Sequence, residues 1–478
     1  MPERLTDRET SMLAVDTQHT PGHVGSIDIF RIPDGFDPQS LVELIRSRLA
    51  FVPRYRMRVR NVPGGLAAPV WVDDEDFDLN YHVRRAALPR PGSWQQLREF
   101  AGRVESRRLD RSRPLWECYL VEGLADNRFA VVSKTHPVLI DGVDAVDLAQ
   151  VLLDTEPDPD EEDFGADWEP AAEPRPVDLV LSGLQEGLAD SEALVRTAQR
   201  TVTGALGAMV AVGEAVGGVG GAFGDLASLA LRRSRPRLDS PLAGPISQHR
   251  RVAMEVIELA RLKELNALAP HRTINDLVLA VVTGALRLWL AARSEGVVQR
   301  PDLLALVPMS VTDESEEVLA PGTKVVGHLM ALPIGEPNPK IRLDQVAFGT
   351  HAHTDRGRAV DARTLSDLAG FAPGTLHALG VRVGGDLVRR PHDLLITNVP
   401  GPQHTLYAGT AELVASFPVL PLEPGHQLAI GITSYAGRVC FGLVGDRTGV
   451  ADLDLLAECL HSALAELEAA LGSADAEQ

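Results

Sequence analysis

The chain has 478 residues, with 46 Lys and Arg against 66 Asp and Glu, a formal net charge of −20. That acidity excludes a nucleic-acid protein, whose phosphate contacts need a surplus of Lys and Arg, and leaves a local basic patch as the means of meeting an anionic membrane. The length fits two domains of roughly 150 to 250 residues, and 45% hydrophobic with 23% charged residues is globular rather than disordered composition.

Met1–Thr10 is charged and lacks an apolar stretch, so no secretory leader is predicted. Strand-like and helix-like patterns alternate from Met12 to about Asp154. Leu41, Leu44, Ile45 and Leu49 have helical spacing, and Phe129–Val132 reads as a central strand. Beyond Gly142, the residues Val143, Val146, Ala149 and Leu153 mark one face of a helix. The order is therefore strand, polar turn, helix over 129–153, with the chemistry placed in the turn.

Glu156–Pro174 is acidic and proline-bearing, an exposed linker. Val177–Leu231 is rich in Ala, Gly, Val and Leu, with glycines crowded into Val210–Gly224 and a basic cluster, Arg232, Arg233 and Arg235, behind it. Each glycine costs a helix about 1 kcal/mol relative to alanine. The stretch reads first as a loosely helical connector between domains, and second as a lipid-touching segment, since its apolar content exceeds what a solvated linker needs.

A second domain begins near Pro245, with strands expected at Val252–Ile257, Leu303–Val307, Lys324–Leu332, Asp393–Asn398 and Arg438–Val444. Leu277–Ala292 is interrupted by Thr283, Gly284 and Arg287 and reads as a buried core helix. The last helix carries Leu453, Leu456, Leu460, Leu464, Leu467 and Leu471 on one stripe. Such alternation implies α/β sandwiches in three parts: a domain over 1–170, a connector over 171–244 and a domain over 245–478. The three cysteines, Cys118, Cys440 and Cys459, form neither a disulfide framework nor a metal-ligand spacing, and fit a reducing cytosol.

One turn carries chemistry. His136 in Ser133-Lys134-Thr135-His136-Pro137-Val138-Leu139-Ile140-Asp141-Gly142 stands between a strand and a helix, where an imidazole can act as a general base. Asp141 can orient a neighbour or form a salt bridge, and Gly142 can take the positive φ of a tight turn. By spacing alone a structural histidine is the commoner outcome.

The segment resembles the HHxxxDG motif of the CoA-dependent acyltransferase superfamily. Other segments narrow the resemblance to the wax ester synthase/diacylglycerol acyltransferase family. They are Pro69-Val70-Trp71-Val72-Asp73-Asp74 running into Phe77–Val83, and Leu109-Asp110-Arg111-Ser112-Arg113-Pro114-Leu115-Trp116-Glu117. Further on come Thr273-Ile274-Asn275-Asp276, Val307-Pro308-Met309-Ser310-Val311, Thr397-Asn398-Val399-Pro400-Gly401-Pro402 and Ser434-Tyr435-Ala436-Gly437. The resemblance implies two chloramphenicol-acetyltransferase-like sandwich domains with a substrate tunnel at their interface. It implies transfer of a fatty acyl group from acyl-CoA, the substrate, to a long-chain alcohol or diacylglycerol, with neither metal nor other cofactor. The second histidine of the family motif is the base.

Counting back from Asp141, that base position is Pro137, and His136 holds the first position. Proline has no ionisable group and no N–H. Histidines at three places could stand in for it. His136 neighbours the position, but adjacent residues of an extended segment point to opposite sides. His328 either faces the tunnel or hydrogen-bonds across the domain joint, the structural role being favoured. His351 and His353 read as solvated. Asn275 is expected to support the reaction centre, or to cap a helix beginning at Asp276. Asn398 and Pro400 are expected in a crossover segment, and Ser310, His328 and Asn398 as substrate contacts from the second domain. Trp71 and Trp116 read as packing anchors.

Three readings of function follow: a neutral-lipid O-acyltransferase with a displaced base or a reduced rate, a family member turned to another acyl substrate, and a non-catalytic lipid-binding relative. All place the chain in the cytoplasm, with contact at the inner membrane or a lipid inclusion as an expectation.

Overall fold

The computed structural model describes residues 2–140, 148–157, 168–189, 240–293, 302–311, 324–354 and 391–475. Asp141, Gly142 and the connector from 190 to 239 lie outside the described residues.

In the first lobe, α1 (Asp7–Val15) is closed by a capping box between Thr6 and Glu9, and leads to β1 (Val24–Arg31) and α2 (Pro38–Arg48). A hairpin of β2 (Met57–Arg60) and β3 (Val70–Asp73) precedes α3 (Leu79–His82), β4 (Val83–Ala87) and α4 (Trp94–Glu105). The antiparallel pair β5 (Trp116–Leu124) and β6 (Arg128–Thr135) ends at the motif, after which α5 (Leu148–Leu152) and α6 (Pro176–Ala189) are described.

The second lobe contains β7 (Arg250–Glu258), α7 (Leu259–Leu268), α8 (Ile274–Ala292), β8 (Leu303–Val311), β9 (Lys324–Leu332) and α9 (Pro339–Thr354). It ends with β10 (Leu394–Pro400), β11 (Tyr407–Ala408), β12 (Ala411–Val419), β13 (Leu428–Tyr435), β14 (Arg438–Asp446) and α10 (Leu453–Asp475). α8 is apolar and long enough to cross a membrane, but Leu277 to Leu286 are buried without interruption, and it is the core helix expected.

Each lobe is built on a six-stranded mixed sheet, in the orders β11-β12-β1-β6-β5-β4 and β7-β14-β13-β10-β8-β9. The first order holds the main surprise. β12, late in the chain, crosses to the first lobe and pairs antiparallel with β1, from Gly25 opposite Val419 to Phe30 opposite Leu413. Two cores lie on the helix-covered faces. A third fills the joint, where Ile27, Val121 and Val132 of the first sheet meet Val252, Leu306, Leu395 and Cys440 of the second, with Phe417 and Val419 of the crossover strand between them. The shared core makes the two lobes one packed unit. β6 is central, as expected, and longer at both ends than its apolar run.

Candidate active site

The described part of the motif bend beyond His136, Pro137–Ile140, is apolar. Pro137–Leu139 form a short 3-10 helix, and Pro137, Val138, Leu139 and Ile140 are all buried. Proline suits the first helical position, since its fixed φ is already helical and no N–H is needed there. His136 is the N-cap, and its Nδ1 accepts the Val138 N–H at 3.2 Å.

That bond decides what His136 can do. Nδ1 is the acceptor, so the neutral ring carries its proton on Nε2. Nε2 points to the N-terminal segment, where a Cβ on Gly22 would lie 3.6 Å away. Burial, first of all, pushes its pKa down to about 3, with Asp16 opposing and Arg111, His23 and Arg108 reinforcing the shift. A buried imidazole without a spare lone pair is not the replacement base, and the position beside it, Pro137, has no proton acceptor on its side chain.

Behind the bend lies a buried polar cluster that motif counting missed. The Asp16 carboxylate accepts from Arg108 Nε at 2.8 Å, Arg111 at 3.1 Å and the Gly22 N–H at 3.1 Å. Burial favours protonating Asp16, but the Arg108 bond and the surrounding positive charge hold its carboxyl below the usual range. His23 Nε2 meets Glu105 Oε2 at 2.8 Å, both groups buried. Lys134, fully buried, donates to the Val104 and Arg107 carbonyls and lies 3.8 Å from Glu117. Arg111, Glu117 and Lys134 sat in segments the sequence had singled out; the others come from the N-terminal segment, α4 and the loop after it, with no local signature.

The second-lobe residues divide. Asn275 Oδ1 accepts from Asn398 Nδ2 at 2.8 Å, so the start of α8 is tied to the end of β10. Asn275 is not the cap: α8 starts at Ile274, and Thr273 caps it in a box with Asp276. Asn398 and Pro400 belong to the inner strand β10, whereas the crossover is made by β12. His328 lies opposite Val307 on β9. It shares the face of Val307 and Met330, which pack into the helix-side core, whereas Leu329 faces the joint; the period of two puts His328 on the helix-covered face rather than at the joint. Ser310 is on β8, paired with Val325. His351, at the end of α9, is exposed. Trp71 and Trp116 are buried anchors, Trp116 donating to the Tyr55 carbonyl at 2.8 Å.

His82 stacks on Trp116 at 4.7 Å and on Phe77 at 5.2 Å, and burial pushes its pKa down to about 4. His82 and His136 are thus neutral in the folded chain but take protons below about pH 6.5 when unfolded. Their contribution is complete above pH 6.5 and is lost as pH falls toward 4 and 3. At pH 5 the loss is about 2 kcal/mol for each. Urea unfolding at pH 7 and pH 5 checks this: His82→Gln should lose about 2 kcal/mol less than the native chain on acidification, and an equal loss in both would refute it.

Between the lobes opens a cleft of about 760 Å³. α4 and the loop after it form one wall, and β7, Arg447 and the start of α10 the other. Seven arginines line it, against two carboxylates, Glu99 and Asp454. Arg108 belongs both to this lining and to the Asp16 cluster, which puts the cleft one side chain from the residues facing His136.

Two α/β sandwiches sharing an apolar joint, with a strand of the second completing the sheet of the first and a motif bend at the end of a central strand, define the class of CoA-dependent acyltransferase folds. A family model described as the wax ester synthase/diacylglycerol acyltransferase catalytic domain matches residues 5–278, and one described as the WS/DGAT C-terminal domain matches 322–468. A Mycobacterium tuberculosis protein named a probable diacylglycerol O-acyltransferase is 35% identical, over 98% of this chain and 99% of its own. Another so named from the same species is 32% identical, over 95% and 92%. Among solved structures, the wax ester synthase/diacylglycerol acyltransferase from Marinobacter aquaeolei VT8 is 26% identical with a TM-score of 0.66, covering 98% of this chain and all of that one. The first condensation domain of the CDA synthetase, 15% identical with a TM-score of 0.52 over 98% and 96%, shares the fold. The chain belongs to the wax ester synthase/diacylglycerol acyltransferase family, a family of acyltransferases.

Proposed function

We propose that the chain transfers a fatty acyl group from acyl-CoA to the hydroxyl of a long-chain alcohol or diacylglycerol, without a histidine base on the motif bend. The observation that carries the reading, beside the family, is the arginine cleft in a chain of net charge −20. Coenzyme A brings a diphosphate and a ribose phosphate, anions that arginine recognises through paired N–H donors. Arg103, Arg107 and Arg447 line the cleft and have no carboxylate partner among the described residues, which leaves them available to phosphates.

Acyl transfer consumes no net proton: the hydroxyl releases one as its oxygen attacks the thioester carbonyl, and the departing thiolate takes one up. A base accelerates the first event but is not required by the balance. Holding acceptor and thioester together supplies much of the rate by itself. The test is ester formation by the purified chain from palmitoyl-CoA with hexadecanol or diacylglycerol, read by mass spectrometry. Arg107→Glu with Arg447→Glu is expected to raise KM for palmitoyl-CoA about tenfold or more, most strongly at low salt, with kcat changed far less. No ester above an enzyme-free control with either acceptor would reject the proposal, and would favour the reading as a binding protein, for which Pro137 is the motive.

The three cysteines are buried and free, which supports a reducing cytoplasm. Exposed Val177 and Leu181 on α6 support contact with a lipid surface.

A further inference from the structure

The end of the second sheet opposite Asn398 carries a cluster with no part in acyl transfer. β10 and β13 are parallel neighbours, so His392 and His426, which precede them, stand side by side. Glu423 lies in the loop returning from the crossover strand. The two rings stack at 4.4 Å with 14° between planes. Glu423 Oε2 is 3.1 Å from His392 Nε2 and 3.9 Å from His426 Nδ1, and all three donor atoms lie within 4.8 Å of one another. Both histidine side chains are at most 3% exposed, and Glu423 16%.

His426 Nε2 bonds the His392 backbone carbonyl at 3.0 Å. A carbonyl only accepts, so Nε2 holds the proton and the neutral ring presents a lone pair at Nδ1. That Nδ1 is buried and makes no hydrogen bond of ordinary geometry. It lies 3.9 Å from the Glu423 carboxylate, and a lone pair beside that negative charge is repelled unless a cation stands between them. A proton there would set an imidazolium face to face with the His392 ring, whereas one divalent ion serves all three donors.

We propose that His392, Glu423 and His426 bind a zinc ion, with water as the fourth ligand. Two imidazoles and a carboxylate are a donor set that zinc takes. The Nε2–H bond to a backbone carbonyl is the outer contact that orients a metal-bound histidine. Tetrahedral zinc separates such ligand atoms by about 3.3 Å, against 3.1 and 3.9 Å from Glu423 to the two rings here; because the in-plane lone pairs of parallel rings do not converge, the His392 ring turns out of its stack on His426 when the ion binds. The ion ties the loop after the crossover strand to the heads of two inner strands, beside the pairing of Ala243 with His426, and so clamps the segment that joins the lobes.

The untagged native chain, stripped with chelator and titrated with zinc, is expected to keep one equivalent through dialysis and to unfold at a higher temperature than the stripped form. Cobalt(II) in its place should give the visible absorption of a tetrahedral site. His392→Ala and His426→Ala should each bind zinc at least tenfold more weakly, while His461→Ala, at the exposed His461–Glu255 pair, should bind as the native chain does. A native chain that keeps no zinc and gives no cobalt bands overturns the proposal, even if the variants fail to fold. So does binding that survives loss of both His392 and His426.

Discussion

Pro137→His is expected to raise the rate of ester formation by about 10²- to 10⁴-fold, the span general-base catalysis supplies. Position 137 is where the family resemblance places the base, and the backbone there is the first residue of a 3-10 turn, a conformation histidine can adopt, although the N–H it adds has no acceptor within the turn. The neighbouring ring does not compete, because His136 is held by the Val138 N–H and kept neutral by burial. The gain should appear in kcat more than in KM for palmitoyl-CoA, since a base acts in the transition state and the arginine cleft is untouched. His136→Gln, whose side-chain oxygen can still cap the turn, should change kcat by less than fivefold. A native rate matching that of Pro137→His would show that another group already does the work of the missing histidine.

The second large effect concerns folding. A Cβ on Gly442 of β14 would stand 1.9 Å from the Pro418 carbonyl oxygen and 3.0 Å from its carbon, both backbone atoms of the crossover strand. No rotamer relieves such a contact, so β12 and β14 must separate by more than an ångström and open the apolar joint around Phe417, Val419 and Val444. Gly442→Val should therefore destabilise the chain by about 3 kcal/mol or more, at the upper end of overpacking effects. Gly472 on α10 meets nothing within 4 Å, and Gly472→Ala should be neutral or stabilising by up to about 1 kcal/mol, from helix propensity alone. Denaturant midpoints of the two variants and the native chain settle the comparison; a Gly442→Val midpoint equal to the native one would mean the lobes are not locked by this strand.

How well each part could be read from sequence follows the range of the interactions behind it. The span of β9, the apolar face of α8 and the leucine stripe of α10 were legible, because period two and period 3.6 are written in neighbouring residues. The start of α8 was misread at Asp276, since Asn is as good a cap as Thr until the Thr273–Asp276 box is seen. His328 was expected at the tunnel or the domain joint and lies on the helix-covered face, because its strand was legible but the face turned to the other lobe was not. Asn398 was expected in a crossover segment and lies in the inner strand β10, clasping Asn275, a contact spanning 123 positions.

The amino-acid sequence by itself determined the family, through motifs spread in order along nearly the whole chain, and the absence of an ionisable side chain at 137, because both are matters of residue identity. Tertiary structure alone decided that a strand from the second half completes the first sheet, and that His136 is committed to its own backbone. It alone gathered arginines from 98–108, 250–251 and 447 into one cleft in an acidic protein. Those outcomes depend on which surfaces meet after the joint core is buried, and no local period or spacing carries that information.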